Sequence, residues 1–105
     1  MSVPDETIPW DMVAACRASD CRKQVLTGLY QNPRCAAELA EDMDFARPTI
    51  SKHIHWLKGE GLVKCLTEDR PHHRIYGVTQ NGEAVAEEVE SLAGAFARGY
   101  RIGRW

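Results

Sequence analysis

The sequence predicts a mainly α-helical chain with one small β-hairpin, which is an α+β fold. Three observations in its 105 residues support this prediction. Apolar residues recur at helical spacing in several segments, whereas residues 63–78 hold two short β-prone runs around a polar turn. Proline and glycine occur where helices are expected to begin or end. The length suits one domain, which we expect to span residues 1–105.

Five helices follow from the apolar periodicity and from the residues that flank each segment. Ser19 or Asp20 can cap the second helix, and Thr79 can cap the last one. Pro48 suits the first turn of the fourth helix, and Gly61 can terminate that helix in a left-handed conformation. The expected helices span residues 8–18, 20–31, 36–42, 48–59 and 80–98.

The order of these elements predicts a specific architecture. A hairpin over residues 63–67 and 74–78 follows the fourth helix. Two short helices joined by a tight turn and followed by a two-stranded hairpin form a winged helix-turn-helix. We expect residues 9–79 to form a DNA-binding core with a wing over 67–74, and residues 80–98 to form a dimerisation helix.

The helix over residues 48–59 is the candidate reader of the DNA major groove. At about 100° per residue, Ile50, Ile54 and Leu57 form its inward stripe. The side chains expected at its start, on its flanks and on its outward face suit contact with DNA: Arg47, Pro48, Thr49, Ser51, Lys52 and His55. Arginine and lysine neutralise phosphates or reach guanine, and short hydroxyl side chains bond to the backbone or to base edges.

The hairpin turn adds a second group of basic residues. Arg70 and Arg74 are its candidate DNA contacts, at a minor groove or on phosphates. The two acidic residues at 68–69 oppose this role. The two histidines at 72–73 are adjacent, and adjacent strand residues point to opposite faces, so the pair alone makes a poor metal site.

The net charge of −2 is unevenly distributed along the chain. Residues 44–75 carry six basic and four acidic side chains, net +2, whereas residues 1–43 carry net −3 and residues 76–105 net −1. All four histidines lie in the central block. This pattern indicates one face that meets an anion.

Several motifs, in this order, resemble those of ArsR/MarR-type winged helix-turn-helix regulators. They are Glu-Leu-Ala at 38–40, Arg-Pro-Thr-Ile-Ser-Lys-His-Ile at 47–54 and Gly-Leu-Val at 61–63. The match to archaeal single-domain members is closer and covers about residues 9–90. The resemblance implies a dimeric DNA-binding transcription factor without catalytic activity. It also implies DNA contact through Thr49, Ser51, Lys52 and His53.

The four cysteines leave a sensing function open. ArsR-type metal sensors often carry a Cys-x-Cys pair in the helix that opens the helix-turn-helix, where this chain has Cys35 alone. Cys16 and Cys21 span a helix junction and could meet as metal ligands or as a redox pair. Free cysteine more often packs in a core. We therefore expect no metal and no cofactor, with a metal- or thiol-responsive repressor as the alternative and the effector ligand unknown.

The last helix carries an apolar stripe at four-three-four spacing, formed by Val85, Val89, Leu92 and Phe96. A stripe of this length exceeds what a small core can cover, so we expect it to form a dimer interface with the same helix of a second copy. Trp10 on the first helix is expected to share that interface. Packing of the stripe on the chain's own core is the alternative.

Together these features predict a sequence-specific transcriptional regulator that binds double-stranded DNA as a homodimer. A winged-helix module that binds protein without DNA is an alternative, which the polar residues Thr49, Ser51 and Lys52 disfavour. The sequence has no phosphate-binding glycine loop and no nucleophile–base pattern, so we do not expect an enzyme. It also has no apolar run of about 18 residues and no signal-peptide pattern, so we expect a cytoplasmic protein without a membrane span.

Overall fold

The computed structural model describes residues 9–97 and, within them, the side chains of residues 9–90. In this part of the chain five helices and one hairpin follow one another in the predicted order, which confirms the α+β fold class. The elements are α1 (Trp10–Arg17), α2 (Asp20–Gln31), α3 (Ala36–Asp42), α4 (Arg47–Gly59), β1 (Val63–Cys65), β2 (Tyr76–Val78) and α5 (Gln80–Ala97). None of the helices described has both the length and the apolar character needed to cross a membrane.

Side-chain caps fix two of the helix starts that the sequence predicts. The Ser19 Oγ accepts a hydrogen bond from the Arg22 amide at 3.3 Å, and the Thr79 Oγ1 accepts one from the Gly82 amide at 3.0 Å. Such a cap stabilises a helix by about 1 kcal/mol because it pairs an N–H that has no partner within the helix. Beyond the end of α4, Gly61 has a φ of +79°, the left-handed conformation predicted for it.

The wing is built on a short antiparallel ladder. Strands β1 and β2 pair so that Cys65 lies opposite Tyr76, and both strands are shorter than predicted. Beyond Cys65 the Leu66 amide still donates to the Ile75 carbonyl at 2.7 Å, but the Ile75 amide donates to the Thr67 side chain at 2.9 Å, so the regular pairing does not continue. Tyr76 also exchanges two backbone hydrogen bonds with Arg34, at 3.0 and 3.1 Å. These bonds fasten the segment before α3 to the hairpin.

The core is centred on α2, which packs against both α4 and α5. Ile50, Ile54 and Leu57 are at most 1 % exposed, so the predicted inward stripe of α4 is confirmed. They belong to one cluster with buried side chains of the neighbouring elements, which include Val25, Leu26, Leu29, Leu39, Leu62, Val85 and Val89. Burial of one such side chain stabilises the fold by about 1.5–3 kcal/mol. The apolar face of α4 is thus held in the core, which leaves its polar face to solvent.

The positions of Val85 and Val89 correct one expectation from the sequence. Both side chains are 0 % exposed in a single chain, because α5 packs across α1 and α2. This half of the apolar stripe therefore lies in the chain's own core and is not available as a dimer interface. Trp10 is 50 % exposed. Leu92 and Phe96, also assigned to the interface, lie outside the side chains that the structure describes.

The start of α5 passes very close to the segment that follows α4. A Cβ atom at Gly82 would lie 1.9 Å from the Leu62 carbonyl oxygen, far inside van der Waals contact. That oxygen accepts a hydrogen bond from the Thr79 amide at 3.0 Å, and the Thr79 hydroxyl donates to the Gly61 carbonyl at 2.6 Å. The direction in which α5 leaves the hairpin therefore requires a glycine at position 82.

Candidate nucleic-acid interface

The outward face of α4 is polar, basic and open to solvent. Among the residues assigned to it from the sequence, Ser51 is half-buried and the others are exposed, namely Arg47, Pro48, Thr49, Lys52 and His55. The apolar residues on the opposite side fix the direction in which this face points. The first turn of the helix also directs N–H groups toward any anion that approaches it.

His53, for which the resemblance implies contact with DNA, has different surroundings from the exposed residues of this face. The residue is half-buried, and its Nδ1 is buried without a hydrogen-bond partner among the described residues. Burial lowers the pKa of His53 below its usual 6.5, and the positive charges of Arg22 and Lys52 lower it further. Successive residues of a helix are rotated by about 100°. Lys52 is exposed, so His53 points away from the outward direction of Lys52, on the side where the charge of Arg22 from α2 reaches it.

A cation–π contact holds α4 against α2. The guanidinium carbon of Arg22 lies 4.1 Å from the centroid of the Trp56 ring, and the Arg22 Nη1 donates to the Ala15 carbonyl at 2.8 Å. One side chain therefore joins the end of α1 to the flank of α4. The sequence does not predict this contact, because no local pattern links two residues that lie so far apart in the chain.

One hydrogen bond orders the wing internally, and one ion pair connects the wing to α4. The Arg74 Nε donates to the Arg70 carbonyl at 2.6 Å, so these two predicted contact residues are tied to each other. Arg70 is exposed and Arg74 is half-buried. The Lys58 Nζ lies 3.7 Å from the Glu68 Oε1, and this ion pair joins α4 to the wing. The positive charge of Lys58 also partly neutralises Glu68, one of the two acidic residues of the wing that oppose the approach of an anion.

The wing tip and the starts of α3 and α4 border an open pocket of about 180 Å³. Arg47 and Ser51 line it from α4, and His72, His73 and Arg74 line it from the wing. The backbone of His73 is left-handed, with a φ of 53°, a conformation that histidine adopts more readily than most residues with a Cβ atom. No carboxylate is among the described residues that line this pocket.

The cysteines of the described chain are mostly buried. Cys16, Cys21 and Cys35 are buried, and Cys65 is half-buried. Burial raises the pKa of Cys16 to about 11, although the positive charge of Arg22 opposes the shift, and burial also raises the pKa of Cys21. A raised pKa keeps a thiol protonated at neutral pH, where it is a poor nucleophile and a poor metal ligand. Within the described residues, no three His, Cys, Asp or Glu side chains are grouped so as to hold a metal ion.

The arrangement places two basic surfaces side by side. A duplex that receives α4 in its major groove would meet the wing at the adjacent backbone or minor groove. Exposed arginine and lysine side chains bind phosphates without selecting a sequence, whereas hydroxyl groups on the helix can reach base edges. The fold and the placement of these side chains define a winged helix-turn-helix protein.

The sequence then identifies the family. Residues 10–101 match the family model described as the HVO_A0261 N-terminal domain, and the chain therefore belongs to that family. No curated protein matches the sequence.

Solved structures share the architecture at low sequence identity. A mutant of Lactococcus lactis ZitR superposes with a TM-score of 0.67 at 17 % identity, over 79 % of this chain and 57 % of its own length. The transcriptional repressor BigR from Xylella fastidiosa superposes with a TM-score of 0.64 at 19 % identity, over 90 % of this chain and 89 % of its own length. A MarR family transcription regulator superposes with a TM-score of 0.69 at 20 % identity, over 96 % of this chain and 74 % of its own length.

These likenesses confirm the predicted fold, which is that of winged-helix regulators of the ArsR/MarR type. The chain spans a little over half the length of the ZitR structure, at 57 %. At identities this low the comparison concerns the fold.

Proposed function

We propose that this protein is a sequence-specific transcriptional regulator that binds double-stranded DNA as a homodimer. Helix α4 enters the major groove, and the wing over residues 67–74 lies along the neighbouring minor groove or backbone. The two-sided character of α4 carries the proposal. Ile50, Ile54 and Leu57 are buried on one side, while Thr49 and Lys52 are exposed on the other.

The proposed contacts are of two kinds. Cationic and imidazole side chains bind phosphates and hold the protein on the duplex: Arg47, Lys52, His55, Arg70 and Arg74. Thr49 and Ser51 lie near the start of α4, where short hydroxyl side chains come close to the backbone and to base edges. Phosphate contacts supply most of the affinity and make it depend on salt, whereas base contacts supply the choice of sequence.

The homodimer is proposed to use α1 together with the second half of α5. Trp10 on α1 is a large apolar side chain that is 50 % exposed, and α1 packs beside α5. Leu92 and Phe96 continue the apolar spacing of α5 beyond its buried first half. A two-fold axis would place two copies of α4 about one helical turn of DNA apart, where they bind a palindrome.

Selection of binding sites from a random duplex library, followed by fluorescence anisotropy, tests this function. Heparin is the competitor, and the affinity is measured over a series of salt concentrations. We expect an enriched palindrome that binds at least about a thousandfold more tightly than a shuffled duplex of the same composition. Equal affinity for both duplexes would contradict sequence specificity, and the absence of binding to any duplex would contradict the DNA-binding function.

A further inference from the structure

We propose that the pocket between the wing and α4 is a binding site for a phosphate-class oxyanion, either a backbone phosphate of bound DNA or a free phosphate ion. For the first of these sources, the inference rests on the proposed function. The pocket has walls from the start of α3, the start of α4 and the wing, including Ala36, Arg47 and Arg74. An anion bound there would contact all three elements.

The charge of the lining selects an anion. Arg47 and Arg74 are permanently cationic, and two imidazole groups from the wing tip add further donors. No carboxylate is among the described lining residues. The nearby Glu38 is engaged within α3, where its Oε1 accepts a hydrogen bond from the Cys35 amide at 3.1 Å. The local balance of charge is therefore positive, although the chain as a whole is acidic.

The lining also supplies the geometry that an oxyanion needs. Guanidinium groups present paired N–H donors that match two oxygens of one phosphate. The Nε of Arg74 is bonded to the Arg70 carbonyl, which orients the group and leaves its terminal nitrogens to a ligand. Ser51 also lines the pocket from α4, and a serine hydroxyl can donate to an oxyanion. Because one arginine comes from α4 and the other from the wing, the two can bind the ion from different sides.

The volume favours a small ion over an organic effector. The pocket holds about 180 Å³, which is below the roughly 300–1,000 Å³ of pockets that enclose drug-sized ligands. A phosphate with part of its hydration shell fits such a space. Cys35 and the wing histidines also line the pocket, but they form no metal-binding group among the described residues. The two arginines would in addition repel a metal cation.

A pair of charge variants on α3 tests the site. Ala36 lines the pocket, and Ala37 is the next residue of the same first turn and does not line it. Aspartate is favourable in the first turn of a helix, so Ala36→Asp and Ala37→Asp should both fold. The two variants change the net charge equally, and only Ala36 lines the pocket. Because Ala36 also packs against the core, the phosphate affinity of each variant is compared only after its amide spectrum shows the native fold.

The first measurement uses inorganic phosphate as the probe. Phosphate replaces chloride at constant pH and ionic strength while amide NMR shifts are recorded, and the same spectra report folding. We expect saturable shifts at Ala36, Ser51 and the wing tip in the native protein and in Ala37→Asp. In Ala36→Asp the affinity should fall at least about tenfold, because like charges repel strongly in a partly enclosed site. Shifts that are not saturable, or equal affinity in both variants, would overturn the proposal.

The second measurement separates the two sources of the anion. If a DNA phosphate occupies the pocket, free phosphate at its own Kd should raise the apparent Kd for DNA about twofold at constant ionic strength, by simple competition. The effect should be absent in Ala36→Asp. If the ion is a separate ligand, phosphate should still shift the amide signals of the pocket residues in the DNA complex. The apparent Kd for DNA should then not double at that phosphate concentration. Either result supports the oxyanion site.

Failure of this inference is distinguishable from failure of the proposed function. A protein that binds no duplex but shows saturable phosphate shifts in the pocket retains the oxyanion site and loses the DNA-binding function. A protein that binds DNA with equal affinity in Ala36→Asp and Ala37→Asp, and shows no phosphate shifts in the pocket, retains the function and loses the site.

Discussion

The guanidinium carbon of Arg22 lies 4.1 Å from the centroid of the Trp56 ring, and the same guanidinium donates to the Ala15 carbonyl. The Nε of Arg22 is buried and has no hydrogen-bond partner in the part of the chain that the structure describes. The ring of Trp56 is therefore a principal partner of this charge. Because Trp56 belongs to α4, the contact helps to set the orientation of the proposed recognition helix.

We expect Arg22→Gln to lower the free energy of unfolding by about 1–2 kcal/mol, through loss of the cation–π contact and of the hydrogen bond to α1. Urea denaturation measures the change. In a protein that already carries Trp56→Leu, Arg22→Gln should lower the free energy of unfolding by about 0.5–2 kcal/mol less than it does in the native protein. This difference is the coupling expected for a cation–π pair. Arg17→Gln is the matched control, because Arg17 is exposed at the end of α1. Additive effects of the two substitutions would show that the contact contributes nothing to stability.

Lys52→Ala should weaken binding to DNA without loss of stability, because the side chain is exposed on the outward face of α4. Removal of one phosphate contact should also reduce the slope of log K against log salt by about 0.9. Fluorescence anisotropy over a salt series gives both values, and thermal denaturation reports folding. Arg17→Ala removes one positive charge from α1 and should leave the slope unchanged. The same loss of slope in both variants would mean that only total charge matters.

Gly82→Ala should destabilise the fold by at least about 1–3 kcal/mol, because the added methyl group would overlap backbone atoms that cannot move freely. The atom in question is the Leu62 carbonyl oxygen, 1.9 Å from the position of the new Cβ. Gly59→Ala is the control, since a Cβ there meets nothing within 4 Å. That variant should be neutral or more stable by up to about 1 kcal/mol. Equal stability of the two variants in urea would show that α5 can shift away from Leu62.

Local sequence patterns predicted the helices and the hairpin, but they did not predict contacts between residues that lie far apart in the chain. Ser19 and Thr79 cap helices where the sequence places them, because a cap depends on neighbours within three residues. Apolar spacing could not separate core from interface, since Val85 and Val89 satisfy either role. The DNA contact of His53 came from resemblance and stays a prediction, because a half-buried side chain in α4 is compatible with either role. The pocket could not be predicted, because its walls come from separate elements.

The stability of the protein should fall as the pH is lowered below about 6.5, and His53 should contribute to this loss. Burial and the charges of Arg22 and Lys52 lower the pKa of His53 in the folded chain, so the unfolded chain takes up the proton at a higher pH. Protonation therefore favours unfolding from the usual value of 6.5 down to the lowered pKa, and above that range the group has no effect.

His53→Gln should make the melting temperature less sensitive to pH between about 7.5 and 5. His55→Gln, on the exposed side of the same helix, is the matched control for loss of an imidazole from α4. Differential scanning calorimetry at several pH values compares the three proteins. If His53→Gln keeps the native pH dependence, the acid sensitivity arises from other groups.

The proposed dimer makes the most direct prediction about assembly. Truncation of a large apolar side chain in a buried interface costs roughly 2–5 kcal/mol, so Leu92→Ala with Phe96→Ala should dissociate a dimer of moderate affinity at micromolar concentration. Sedimentation velocity measures the mass, and anisotropy should show that most specific DNA binding is lost with the dimer, because one α4 covers only a half-site.

Val89→Ala is the matched control on the same helix, because Val89 is fully buried in the core of one chain. It should lower the melting temperature and leave the sedimenting species unchanged. Trp10→Ala tests the contribution of α1 to the dimer interface, as the double variant tests that of α5, and it is measured in the same way by sedimentation velocity. If the double variant remains a dimer while Trp10→Ala dissociates, the interface lies on α1. If the native protein sediments as a monomer at all concentrations and on DNA, the homodimer is wrong, and one copy of α4 with its wing must supply all of the specificity.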